Sequence, residues 1–248
     1  MDDDISYQEI EAKLESYLEY ELSKFTLMTL ETVADSTLHS KYAYSSAMQK
    51  CVRRGYLEDS IRYATAYHGL DPTGFWTRLV VVAFEDVGLG GVVELALTLA
   101  AARSKIFRHR IGGDVKVISY IVSMLARSIK DRSCCDFMQV LWYHPRKYKE
   151  MNALRTATAQ ELIDYALSDR LPTAFRTCAA WLLIGSDRYD CKSLPLRSGS
   201  RDIFNATIQQ MPIPPLTKYI TMRGAICSRF PAGGLSRVQL VQHVWPGV

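Results

Sequence analysis

A chain of 248 residues with 48% apolar side chains can bury a real core, as one large domain or two small ones, and is expected to fold unaided. Six cysteines with no Cys-x-x-Cys pair, two of them adjacent at Cys134 and Cys135, argue against a disulfide framework and a zinc ribbon and point to a reducing compartment. No apolar run reaches the roughly 18 to 20 residues of a membrane span, and the Met1-Asp2-Asp3-Asp4 start is the opposite of a basic secretory leader; a cytoplasmic protein with no membrane partner is expected.

The formal charge of +4 is unevenly spread: residues 1–35 hold ten acids against Lys13 and Lys24, a net of −8, so the rest of the chain carries +12. This acidic head reads as a solvated helix face, as a shield over the basic body, or as a mimic of phosphates toward another protein's basic groove. From Ile5 to Val33 the repeat of Ile10, Leu14, Tyr17, Leu18, Leu22 and Phe25 predicts a long amphipathic helix. Residues 35–40 are a polar connector. Three helices follow. Ala47, Met48, Cys51 and Val52 form the stripe of one that ends at Gly55, in the place of a left-handed cap. Leu57, Ile61, Ala64 and His68 mark a second that ends at Gly69. Asp71-Pro72 opens a third, which runs through Trp76, Val80, Phe84 and Val87 to Gly88. Glu85 and Asp86 fall in its last turn, where the helix dipole disfavours negative charge. The expectation is a structural brace in which Glu85 and Asp86 are held by Arg53 and Arg78, with Arg54, Arg62 or exposed helix amides as other candidates.

These residues also carry a resemblance. Ser46-Ala47-Met48-Gln49-Lys50-Cys51-Val52-Arg53, Tyr63-Ala64, Asp71-Pro72, Arg78-Leu79-Val80 and Phe84-Glu85-Asp86-Val87-Gly88-Leu89 resemble, in order and spacing, the C-terminal region of the replication-associated recombination AAA+ ATPases, the MgsA/RarA and Werner-interacting ATPase group. The likeness covers residues 44–135, fading through the helix after Gly91 to Lys130-Asp131-Arg132-Ser133, and does not reach beyond about residue 138. It implies a clamp-loader-collar-like helical module that oligomerises and works at stalled forks on single-stranded or gapped DNA. The chain has no Gly-x-x-x-x-Gly-Lys-Ser/Thr phosphate loop and no strand ending in paired acids, so the motor is missing and the resemblance implies the collar alone.

After Gly91 the run Val92 to Phe107 predicts one helix, ending in the densest basic cluster: Arg103, Lys105, Arg108, His109 and Arg110. Arg103, Lys105, Arg108, Arg110 and Lys116 are candidate phosphate contacts, against the alternative of a favourable helix C-terminus. Asp114 is read as a cap before Val115, Ile118, Ile121, Val122, Leu125 and Ile129, a helix by length although residues 115–122 have strand character. Trp142, Tyr143, Arg146, Lys147 and Lys149 interleave rings with positive charge around Pro145, which suits either single-stranded nucleic acid or a half-buried elbow. Helices are predicted from Thr158, from Pro172 to Gly185 and from Ser200 over Phe204 and Ile208, and the Pro-rich 211–215 is read as a stiff connector.

The whole is read as an all-α multi-helix bundle: an acidic head at 1–40, the collar-like module at 41–138 and a second helical layer at 139–248. The five histidines and six cysteines form no catalytic or metal-binding set, so no enzyme, cofactor or metal is expected. The expected role is a non-enzymatic DNA replication or repair accessory, with single-stranded or forked DNA, a second copy, or a replication protein as partner. The alternative is a phage or mobile-element factor that binds and inhibits a host protein without touching DNA.

Overall fold

The computed structural model describes residues 6–28, 40–143, 151–187 and 194–227. Among them the protein is all-α, its single extended feature being an isolated antiparallel bridge between Gly185 and Ser198. The chain divides into two compact units, one ending at Asp131 and the other beginning at Arg132, and the acidic head belongs to the first.

In the first unit α1 spans Tyr7–Lys24, opened by a capping box in which Ser6 and Glu9 satisfy each other's backbone amides. Leu14, Leu18 and Leu22 are its buried seam, packed on α5 (Val92–Arg103) and α7 (Asp114–Arg127). Burial of each leucine contributes about 1.5–3 kcal/mol before the entropy of ordering. The helix stops at Lys24, short of the expected Val33, and residues 29–39 lie outside the described set.

α2 (Lys41–Arg54) ends on Gly55 at φ +74°, the left-handed cap its sequence predicts. α3 (Leu57–Leu70) continues one residue past Gly69. α4 (Pro72–Val82) starts at Asp71, whose carboxylate accepts the Gly74 amide at 2.9 Å and the Lys41 ammonium at 2.7 Å. Hydrogen bonds to Lys41 and to the Gly74 amide hold the Asp71 carboxyl below its ordinary range.

Two expectations change in the middle of this unit. The third helix does not run on as α-helix to Gly88: Ala83–Val87 is a π-turn and Gly88–Gly91 a 3-10 turn. The helix expected over 92–107 breaks at Ser104, whose extended backbone and hydroxyl, accepting the Phe107 amide at 3.1 Å, start the short α6 (Lys105–Arg110). The 115–122 segment lies inside α7, with Val117, Ile118, Ile121, Val122 and Leu125 buried. Asp114 is its first helical residue rather than its cap, and its carboxylate is spent on side chains.

The second unit comprises α8 (Ser133–Tyr143), a 3-10 turn at Asn152–Arg155, α9 (Ala159–Leu167), α10 (Thr173–Ile184), α11 (Arg201–Gln210) and α12 (Pro215–Cys227). Its axis is α10, where residues 177–184 are all buried and Trp181 is fully enclosed. α9 and α11 pack against it. A capping box between Thr158 and Glu161 opens α9. Gly199 lies so close to the end of α10 that a Cβ there would collide with the Ile184–Gly185 backbone.

Candidate functional site

The π-turn decides what the paired acids do. A residue inserted into the helical repeat alters which neighbours successive side chains meet, and here two consecutive carboxylates reach the same residue of α2. Gln49 Nε2 donates to Asp86 Oδ2 at 2.9 Å and to Glu85 Oε2 at 3.1 Å. Arg53, one turn further along α2, donates from Nε to Asp86 Oδ1 at 2.6 Å. Arg78 reaches the acids indirectly, by donating to Gln49 Oε1. Asp86 is completely buried, whereas Glu85 is half-buried and held through Gln49. Gln49 is thus the hub of the node; its i, i+4 spacing puts it on the same face of α2 as Arg53, but spacing alone names no partner for it.

The turn that follows is locked by backbone. Asp131 donates its amide to the Val87 carbonyl at 3.2 Å. Gly88, at φ +53° and ψ −135°, occupies a conformation that side chains disfavour, and a Cβ there would collide with the Asp131 carbonyl oxygen. A Cβ at Gly90 would meet the Ile129 carbonyl in the same way. Lys130 closes the end of α7 by donating to the carbonyls of Leu125 and Ala126 at 2.9 and 3.0 Å. Burial pulls its ammonium below the usual lysine range, although Asp86 and Glu94 pull the other way.

The basic cluster divides by burial. Arg108 is 5% exposed. Its Nε donates to Asp114 Oδ1 at 2.6 Å, its Nη1 to the Ala101 carbonyl at 2.8 Å, and its guanidinium lies 4.2 Å from the Trp76 ring centre. His68 Nε2 completes the group 3.1 Å from Asp114 Oδ2. Arg108 is therefore a core residue with no face left for a phosphate. Arg103 and Arg110 instead meet the acidic head. Arg103 donates to Glu11 at 2.7 Å and to Glu15; Arg110, with a side chain 60% exposed, lies 3.9 Å from both Glu15 and Glu19. Glu11, Glu15 and Glu19 recur every four residues beside the leucine seam. The stripe is graded: Glu11 is buried, Glu15 half-buried and Glu19 exposed to solvent.

Lys105 and His109 are exposed and Lys116 is half-buried. Tyr143 is exposed at the end of α8, while Arg146, Lys147 and Lys149, and the side chain of Trp142, lie outside the described residues. A cavity of about 270 Å³ opens between Phe25, Glu94, Tyr120, Met124 and Arg127. Its hydroxyls are turned inward: Ser123 donates to the Ser119 carbonyl and Ser128 to that of Met124. Burial, with the charge of Glu21 behind it, pushes the Tyr120 hydroxyl well above its ordinary value, so it stays a neutral donor. Among the described residues no three histidine, cysteine or acidic side chains gather as metal ligands. No helix among them is long and apolar enough to cross a membrane.

Comparison with known proteins returns no match to any family model, curated protein or solved structure.

Proposed function

We propose that this chain is a non-enzymatic accessory of DNA replication or repair, which assembles through the helices of residues 44–130 and binds DNA or a DNA-bound protein with its basic body. One observation carries the reading. Three of the five stretches that give the sequence its resemblance to replication-associated recombination ATPases, residues 46–53, 78–80 and 84–89, meet at one node. Gln49 and Arg53, Arg78, Glu85 and Asp86 are joined by side-chain hydrogen bonds, and Val87 and Gly88 meet Asp131 through backbone. A chance likeness has no reason to select residues that cooperate in space. The phosphate contacts we assign are Arg103, Lys105, Arg110 and Lys116, with Arg108 left to the core.

The test is fluorescence anisotropy of the full chain against single-stranded, duplex and forked DNA across a salt series. Binding to single strands or forks with a steep salt slope is expected; no binding at low salt would overturn the DNA-binding part. A second reading, a protein-interaction factor that binds and inhibits a host protein, is favoured by Arg103 and Arg110 already being seated on a helix's carboxylates. Its signature would be no affinity for DNA together with a stable complex with a protein partner.

A further inference from the structure

We propose that the Glu11–Glu15–Glu19 stripe of α1 is a built-in competitor of nucleic acid, occupying Arg103 and Arg110 until a single-stranded phosphate backbone exchanges with it. The inference rests on the DNA-binding reading above and adds a regulatory layer to the same surface.

Three carboxylates serve two guanidiniums. Arg103 is shared by Glu11 and Glu15, and Arg110 by Glu15 and Glu19. Repeating every fourth residue, the carboxylates form a row spaced about 6 Å along the helix axis, and a nucleic-acid backbone is likewise a row of evenly spaced negative charges. The helix thus presents to these arginines the same kind of charge that DNA would.

The contacts grade from tight to loose along the stripe. Glu11 pairs at 2.7 Å with a side chain 10% exposed, whereas Glu19 stands 3.9 Å from Arg110 with 55% of its side chain exposed. An incoming phosphate therefore finds Arg110 first, where the pair is weakest and open to solvent. Exchange need not unfold anything, because α1 is anchored separately by Leu14, Leu18 and Leu22. Lys105 is exposed on the same short helix as Arg110 and adds a second positive charge on that element. Because the two arginines begin already neutralised, the unmodified chain should show a shallower salt slope than its number of basic residues suggests.

The full chain, the triple variant Glu11→Gln/Glu15→Gln/Glu19→Gln and the single variant Glu15→Gln are titrated with a fluorescein-labelled 20-nucleotide oligothymidylate across a salt series. The triple variant should bind about tenfold tighter at low salt, with a log–log salt slope steeper by about 1.4, the equivalent of two phosphate contacts on a single strand. Adding Arg103→Ala/Arg110→Ala to the triple variant should abolish that gain, while the same alanines in the unmodified chain change affinity much less. A gain that survives the alanines would be a general charge effect and would overturn the competition. Equal affinity and slope for the unmodified chain and the triple variant would also overturn it, while leaving the DNA-binding reading standing. No binding by any variant would overturn both. Should the triple variant melt without cooperativity, Glu15→Gln decides, because Glu15 touches both arginines and alone should give a gain of several-fold.

Discussion

Asp86 and Glu15 are both carboxylates held by an arginine from another helix, yet Asp86 is wholly buried and Glu15 keeps 21% of its side-chain surface. Around Asp86 the stakes are high, because an acid removed from water must have every lone pair answered, and Arg53 and Gln49 answer from two sides. Around Glu15 water remains available to both partners, so the pair contributes little to stability and can be exchanged. Burial, not residue type, separates the node that builds the fold from the seam that can take part in binding. Arg108 and Arg110 repeat the lesson two residues apart in one short helix.

Breaking the buried side should produce the largest effect. Asp86→Ala leaves the Arg53 and Gln49 donors without their acceptor and should cost about 3–5 kcal/mol in urea unfolding; a loss below about 1 kcal/mol would show that the node does not brace the helices. Arg108→Ala removes the ring stack on Trp76 and strips Asp114 of its charged partner, for a loss of about 2–3 kcal/mol. Where that variant remains folded, its affinity for DNA should be unchanged, which separates it from Arg110→Ala. On the exposed side, Glu15→Gln should lower stability by less than about 1 kcal/mol, and by nothing measurable in high salt.

The smallest effect is pH-dependent. Asp71 has a lowered carboxyl pKa in the folded chain, so folded protein binds that proton less readily than unfolded protein does. Its contribution is complete above the ordinary carboxylate value of 3.8 and is lost as the pH falls through the lowered one. Unfolding midpoints measured from pH 6 down to pH 2 should therefore converge for the natural chain and Asp71→Asn; parallel curves would remove Asp71 from the acid response.

What the sequence made legible was local. Gly55, Asp71-Pro72, Thr158 and Ser200 announce helix ends because caps are chemical signals within a few residues, and each sits at an end. The all-α architecture followed from the 3.6-residue repeat. The π-turn was not legible, because one residue inserted into a helix leaves the composition unchanged. Nor was the break at Ser104, where a serine interrupts a run of strong helix formers. Pairing Asp86 with an arginine needed only charge, but the hub Gln49 and the inequality of the two acids depend on how α2 lies against the turn. The Arg103–Glu11 pair joins residues 92 positions apart, beyond the reach of any spacing argument.

The close approach at Gly88 and Gly90 bears on how such a chain can change over generations. Any side chain at either position collides with a carbonyl of residues 129–131, so selection for a folded molecule alone is enough to hold both glycines, whatever the protein binds. Glu15 and Glu19, whose side chains stay in contact with water, are under no such constraint, unlike the buried Glu11. Among descendants of this sequence the two glycines would form a fixed signature of the fold, while Glu15 and Glu19 would change together with Arg110 and record a history of partners.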